Sequence, residues 1–399
     1  MSKKIKAVVL NDTMGPYHYF RLDCANKYLD ATALEFSSMD HTNLWRTDNF
    51  DKTNVVTLFS EEPITKISSL LIKKELFKAL NNLNPEVVIL SGWDALPSLY
   101  ALLWALENKI PTVVISESQQ FDFKRFKVKE FGKKLILNLI DSAFVGGVNQ
   151  ADYLMKLGVN KERIFLGSDV VDNDFFLQSK IDDNKNLVSQ LPKFFFMTSC
   201  RFVEKKNLFF LIKVFEKFQR KIEDWSLVLV GDGPLKEDLI RLSNQLNISE
   251  KVVFTGYQEY ESISSIYNSA SCFVLPSIIE QWGLVVNEAL ASGIPVLCSK
   301  RAGCAPNLIE NNEVGYTFDP FTENDLETKM YQIVEDLKSS DFKSKTHAII
   351  SQWGKDKYSN NILKAAEQAI EFKTVRGFFA VIFLKSFIPF KIIYTKFFL

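Results

Sequence analysis

Apolar residues fall along this chain in two alternating rhythms. Short unbroken runs at 6–10, 55–59, 87–90 and 112–115 suit strands buried on both faces. Between them, 70–83 and 96–107 repeat apolar residues at helical spacing. Runs at 144–148 and 164–167 predict the last strands of this half, with a helix over 149–157 stopped by Gly158. The alternation then restarts, with strands predicted at 194–198, 225–230, 252–255, 272–276, 294–298 and 315–318, and helices over 208–218, 323–337 and 353–372. Strand, helix, strand repeated in this way predicts an α/β fold with a doubly wound parallel sheet. The restart predicts two of them, over 1–190 and 193–371, joined by a linker at 181–192 rich in Asp, Asn, Lys and Ser.

The densest chemistry lies in 272–293, CFVLPSIIEQWGLVVNEALASG. Its strand stops at Pro276, and a helix opens at Gly283 and closes at Gly293. The opening turn, with Gly283, Leu284 and Val285, presents unpaired backbone N–H groups and partial positive charge, a seat for a pyrophosphate. Glu280 in the loop and Glu288 on the helix flank that seat. Carboxylates beside an anion site make sense where neighbouring hydroxyls donate to them, as a ribose or a hexose would. The plainer reading is that any α/β protein has strand-loop-helix units and that Glu near a helix start is favoured by the dipole.

Loops at the carboxyl edge of a parallel sheet face the ligand crevice. Those at 11–18, 91–94 and 116–118 do so in the first half, and 199–207 does in the second. Within the last, Arg201 and Lys206 lie between a strand and a helix, where a guanidinium fork and a point charge can neutralise a diphosphate. Gly231 and Gly233 permit close backbone approach after another strand. His18, one of three His, suits either a catalytic role or a structural hydrogen bond.

Glu280, Gly283, Glu288, Ala289, Ser292, Gly293, Pro295 and Val296 together resemble the paired-glutamate signature of family 4 glycosyltransferases, which have the GT-B fold. The resemblance implies two Rossmann-like domains facing across a cleft, with the last helix, from Trp353 on, returning to the first domain. It implies a retaining, metal-independent glycosyltransferase whose nucleotide-sugar is a co-substrate and not a resident cofactor. Arg201 and Lys206 match the family's phosphate-gripping pair, Glu280 would bond the transferred sugar and Glu288 the ribose. Gly256 falls where relatives hold the base, and Gly15 and His18 fall in the loop that approaches donor and acceptor. The chain departs from the family at Glu117, where many relatives carry His, and at Cys200, where they usually carry Gly. Glu117 then either positions or deprotonates an acceptor hydroxyl, or pairs with a nearby Arg. Sugar-nucleotide epimerase or hydrolase, and non-catalytic sugar-nucleotide binding, are the competing functions.

Composition narrows the setting. With 48 Lys and Arg against 48 Asp and Glu in 399 residues, nothing points to nucleic acid. Five scattered Cys without a CxxC pair suit reduced thiols in a cytosol, not a disulfide frame or zinc site. The opening apolar run is too short for a signal peptide. The tail at 372–399 is basic, acid-free and rich in Phe and Ile, and its longest uncharged stretch, 377–384, falls far below the roughly 20 residues needed to span a bilayer. It suits a membrane-surface helix, or a core-capping helix ended by Pro389. The stretch 121–139 also interleaves Phe with Lys and Arg, as a surface touching anionic lipid or an acceptor pyrophosphate would. These features favour a cytoplasmic protein on the inner face of the membrane, with a glycan or polyprenyl-linked lipid as acceptor.

Overall fold

A computed structural model describes residues 3–38, 50–178, 188–372 and 378–398. Seven parallel strands form the first sheet: β1 (Ile5–Asn11), β2 (Leu29–Ser37), β3 (Val55–Phe59), β4 (Val87–Ser91), β5 (Thr112–Ser116), β6 (Ser142–Val145) and β7 (Ile164–Leu166). Their order is β3-β2-β1-β4-β5-β6-β7. The second sheet has six: β8 (Phe194–Ser199), β9 (Trp225–Val230), β10 (Val252–Gly256), β11 (Cys272–Leu275), β12 (Val296–Ser299) and β13 (Gly315–Phe318), in the order β10-β9-β8-β11-β12-β13. Both sheets reverse direction beside their first strand. That switch opens a crevice between the loops after β1 and β4, and between those after β8 and β11.

The strands read as continuous apolar runs because helices cover both faces. Val87, Val88, Ile89 and Leu90 of β4 are all fully buried, with Val88 and Leu90 in one core cluster and Val87 and Ile89 in another. The periodicity missed β2 and the helix Pro16–Asn26 before it. The run LDATALEF of β2 carries Leu, Ala and Glu, good helix formers, and becomes a strand because β1 and β3 pair along both of its edges.

The helix Lys355–Glu371 lies on the first sheet, although it follows the second in sequence. Its Tyr358, Ile362, Ala365, Ala366 and Ala369 share a core with Ala7, Val9, Ile89 and Val113. The Ser142 hydroxyl donates to Ala365 O at 2.7 Å and the Asn361 amide to Leu166 O at 2.8 Å. The predicted linker falls partly outside the described residues, as does the start of the tail at 373–377. From Phe378 the tail is a single helix to Phe398 that runs through Pro389 instead of ending there, because a proline costs one helical N–H and the flanking turns hold. Leu384 and Ile388 are buried against the helix Leu96–Asn108, and Lys385 pairs with Glu107 at 2.6 Å. Among the described residues no helix is long and apolar enough to cross a membrane.

Candidate active site

The loop between β11 and the helix Leu284–Ala291 is built around Gly283. Its φ of +104° is a conformation side chains rarely adopt, and a Cβ there would meet Leu275 Cδ2 at 3.0 Å. No side chain caps this helix; Val286 N turns back onto Gly283 O at 2.8 Å, and the N–H groups of Leu284 and Val285 precede the first helical bond. Glu280 precedes it and is held from several directions. Its carboxylate contacts the Lys206 ammonium and accepts from Ser277 Oγ at 3.0 Å, while its carbonyl accepts from Gly303 N at 3.0 Å. The Ile278 N–H donates to Lys205 O at 2.9 Å, so the β8 and β11 loops are joined through backbone as well as charge. Burial opposes charge on Lys206, but the Glu280 carboxylate outweighs it and holds the ammonium above its ordinary pKa.

Arg201 stands exposed on the loop that ends in Lys206. Its neighbour Phe202 is buried and anchors that loop on the turn after β9: Phe202 N donates to Asp232 O at 2.8 Å and Leu235 N to Phe202 O at 3.2 Å. Gly231 and Gly233 are what permit the approach. A Cβ on Gly231 would lie 2.0 Å from Cys200 O, and one on Gly233 2.6 Å from Phe202 N. The close contact those glycines allow is thus with the chain's own Arg201 loop. Gly256 accepts from Gly231 N at 2.9 Å, and a Cβ on it would meet nothing within 4 Å.

Glu288 is 1% exposed and receives two phenols, Tyr17 Oη at 2.5 Å and the Tyr267 hydroxyl. Burial raises its pKa, and the two hydrogen bonds act against that rise. Tyr17 belongs to the first domain, so the carboxylate expected to grip a ribose here ties the two domains together. Other ties run alongside. Gln119 Nε2 donates to Glu280 O at 2.7 Å and Arg301 O at 3.0 Å, and Asn287 Nδ2 to Asp169 O at 3.3 Å. Gly146 and Gly147, after β6, leave room for Trp282 of the second domain, whose ring atoms would lie 2.7 and 2.8 Å from added Cβ atoms.

On the first-domain side, the loops after β1, β4 and β5 surround an open cavity of about 550 Å³ that Gln281 of the second domain also lines. His18, Arg21, Trp93, Glu117 and Arg125 face it. Glu117 lies against Asp169, whose charge, together with burial, pushes the Glu117 carboxyl up to about 8; Glu280 adds to the rise and Arg21 opposes it. Asp169 is itself held by Arg21 at 3.1 Å and Ser168 Oγ at 3.2 Å. Glu117 is therefore mostly protonated at neutral pH, sharing its proton with the Asp169 carboxylate, and its carbonyl oxygen can accept a hydrogen bond from the cavity. His18 Nδ1 accepts the Gly15 N–H at 3.0 Å, and Gly15 O accepts His18 N at 2.9 Å, a reciprocal cap on the helix Pro16–Asn26. Burial and Arg21 lower this imidazole to about 4, so it is neutral, with its proton on Nε2.

The structure thus joins Lys206 directly to Glu280, sets Gly283, Leu284, Val285 and Glu288 just beyond, and brings His18 and Glu117 to the adjoining cavity. Gly15 serves as the helix cap. Arg21, Gln119 and Asp169 are site residues that the sequence pattern did not single out; Tyr17 lay in a loop already read as crevice-facing. Among the described residues no group of three His, Cys, Asp or Glu is arranged to hold a metal ion.

Two Rossmann-like sheets facing each other through their carboxyl-edge loops, with the last long helix returned to the first, define the GT-B class. Comparison with known proteins agrees. Residues 179–349 match the family model described as glycosyl transferases group 1. A sulfoquinovosyl transferase of Arabidopsis thaliana is 34% identical over 131 residues, 32% of this chain and 25% of that protein. A GDP-mannose-dependent phosphatidylinositol monomannoside mannosyltransferase of Mycolicibacterium smegmatis is 29% identical over 143 residues, 34% of this chain and 37% of that protein. The chain thus spans between a quarter and two fifths of the length of these curated relatives. An Anabaena protein solved with UDP and glucose superposes with a TM-score of 0.70 at 17% identity, over 90% of this chain and 98% of that one.

Proposed function

We infer that this chain is a retaining glycosyltransferase of family 4 type, moving a sugar from a nucleotide-sugar to a glycan or lipid-linked acceptor. The observation that carries this reading is the Lys206–Glu280 contact beside the uncapped helix start at Gly283, across a groove from the cavity holding Glu117. Arg201, Lys206 and the helix N–H groups meet the leaving diphosphate, where charge builds as the glycosidic bond breaks. Glu280 orients the sugar, and Glu288 takes a ribose hydroxyl in exchange for a phenol. The acceptor enters from the first-domain cavity and attacks on the face the diphosphate leaves, which also receives the acceptor's proton. Glu117, its proton engaged with Asp169, accepts from a neighbouring hydroxyl of the acceptor and holds it in line. Relatives whose names specify a lipid acceptor support a lipid-linked substrate.

The test uses pure full-length protein with a panel of nucleotide-sugars, with and without lipid-linked acceptors, scored for transfer and for donor-induced stabilisation. Arg201→Ala is expected to lower donor kcat/KM roughly 10- to 100-fold, the loss of one charge-assisted pair. Full activity in that variant and in Glu280→Gln rejects the site. Turnover of a donor without any acceptor points instead to an epimerase or hydrolase.

A further inference from the structure

The stretch 121–134 is where the surface of this protein is least like that of a soluble globule. Phe121, Phe123, Phe126, Val128 and Phe131 are 51%, 68%, 53%, 85% and 62% exposed within eleven residues. Contiguous apolar exposure of this kind marks an interaction surface. Its charge is of one sign. Lys124, Lys127, Lys129 and Lys134 are exposed and have no carboxylate partner among the described residues, while Asp122 is buried and Glu130 is taken up by Lys133 and Tyr153. In the helix Lys127–Leu137, Lys127, Phe131 and Lys134 share a face by their i, i+4, i+7 spacing, and Val128 adjoins it.

The ridge is also continuous with the site. Phe123 and Arg125 line the first-domain cavity, and Arg301 of the second domain donates to Phe121 O at 2.7 Å and stacks on its ring. The tail is arranged differently. Its helix directs Leu384 and Ile388 into the first domain, and its Lys385 and Lys391 are paired with Glu107 and Asp94.

The geometry points to the 121–134 ridge as the surface that seats this protein on an anionic lipid bilayer, with the acceptor cavity opening beside it. Aromatic side chains settle at the headgroup level and lysines gain from the negative surface, so both halves of the pattern fit one partner. A second copy of this chain fits poorly, since a two-fold contact would set these lysines against themselves. This inference rests on the lipid-acceptor part of the function proposed above.

The experiment is sedimentation of the full chain with vesicles of phosphatidylcholine alone or with about 30% phosphatidylglycerol, at low and high salt. Val128→Ser with Phe131→Ser, and separately Lys124→Glu with Lys127→Glu and Lys129→Glu, alter exposed positions outside the donor site. Each set is expected to reduce partitioning onto the anionic vesicles by about tenfold or more. Ile382→Ser in the tail is expected to leave it unchanged. Thermal unfolding and donor-induced stabilisation, both expected at wild-type values, show that the variants are folded. The inference is overturned if wild-type protein stays with the supernatant, if the ridge variants bind as well as wild type, or if the ridge proves to be a dimer contact by sedimentation velocity. Absence of donor-induced stabilisation in wild type would reject the glycosyltransferase reading while leaving the vesicle result to stand by itself.

Discussion

Replacing Glu117 by Gln fixes this side chain in its neutral, hydrogen-bonding form, and the consequence is a change in how stability depends on pH. In the folded protein the carboxyl is pushed up from 4.5 to about 8 by the Asp169 charge and by burial. Between those values the unfolded chain has lost a proton that the folded chain keeps, so stability falls as pH rises, by at most about 1.4 kcal/mol per unit. His18 works in the opposite sense. Lowered to about 4, it makes stability fall as pH drops from 6.5 toward 4, and above 6.5 it is neutral in both states. The clean window is therefore pH 6.5 to 8, over which Glu117 alone removes roughly 1.5 kcal/mol. The groups that face it, Asp169, Arg21 and Glu280, are present in both proteins, so subtraction isolates it. Denaturant unfolding followed through the first-domain transition at closely spaced pH values should show a wild-type decline that the variant lacks. Parallel curves for the two proteins would refute the shared-proton picture, and with it the positioning role assigned to Glu117.

Three further outcomes follow from the packing. Gly231→Ala drives a methyl toward Cys200 O, 2.0 Å away, so the Arg201 loop must move. We expect donor-induced stabilisation to be lost and the melting temperature to fall, by the several degrees that about 2 kcal/mol or more implies. Tyr17→Phe removes one of two phenols from buried Glu288 and should cost about 1–3 kcal/mol in unfolding measurements. If a ribose hydroxyl takes that phenol's place, saturating donor should restore much of the loss. Lys206→Met removes the partner of Glu280 and should weaken donor affinity by about tenfold or more in a titration, with affinity falling less steeply with added salt in the variant than in the wild type.

What the sequence discloses here depends on how far apart the cooperating residues lie along the chain. The strand ends and the glycine-opened helix at 283 were legible because each is decided within a dozen residues by apolar runs, a proline stop and a positive-φ glycine. Lys206 and Glu280 were legible singly, each from its place after a strand, but their contact spans 74 positions and only the switch point between β8 and β11 creates it. Asp169 stood between the last predicted strand of the first domain and the predicted linker, with no local pattern to mark it. Its role shows only when Arg21, 148 residues earlier, reaches it and Glu117 comes alongside. The tail left two readings open for a related reason. Its Lys and Phe suggest a membrane surface when read locally, while the packing of Leu384 and Ile388 on the first domain and the pairing of Lys385 with Glu107 and Lys391 with Asp94 fit the core-capping alternative and depend on residues far earlier in the chain.

The domain contacts explain how such a site can both hold and release a donor. Glu288, Glu280 and Asn287 all bond to first-domain groups, yet none of these ties is a large apolar contact. They are single hydrogen bonds, donated by Tyr17 and Gln119 to the two glutamates and by Asn287 to Asp169 O. Such bonds contribute about 1 kcal/mol each against water, so exchanging one for a ligand hydroxyl changes the balance between domains little. On the proposed reading, a ribose hydroxyl would donate to Glu288 as the Tyr17 phenol does, and either would leave the buried carboxylate satisfied. A nucleotide-sugar entering the groove would then replace a domain tie at small net cost, and its departure would re-form the tie. Substituting an apolar residue at 288 would remove that exchange. Glu288→Leu should take from Tyr17 and Tyr267 the buried carboxylate they share and destabilise the fold, whereas Glu288→Gln keeps an acceptor and should retain stability while losing donor affinity. Equal loss of donor binding and stability in both variants would mean that Glu288 is only a structural tie.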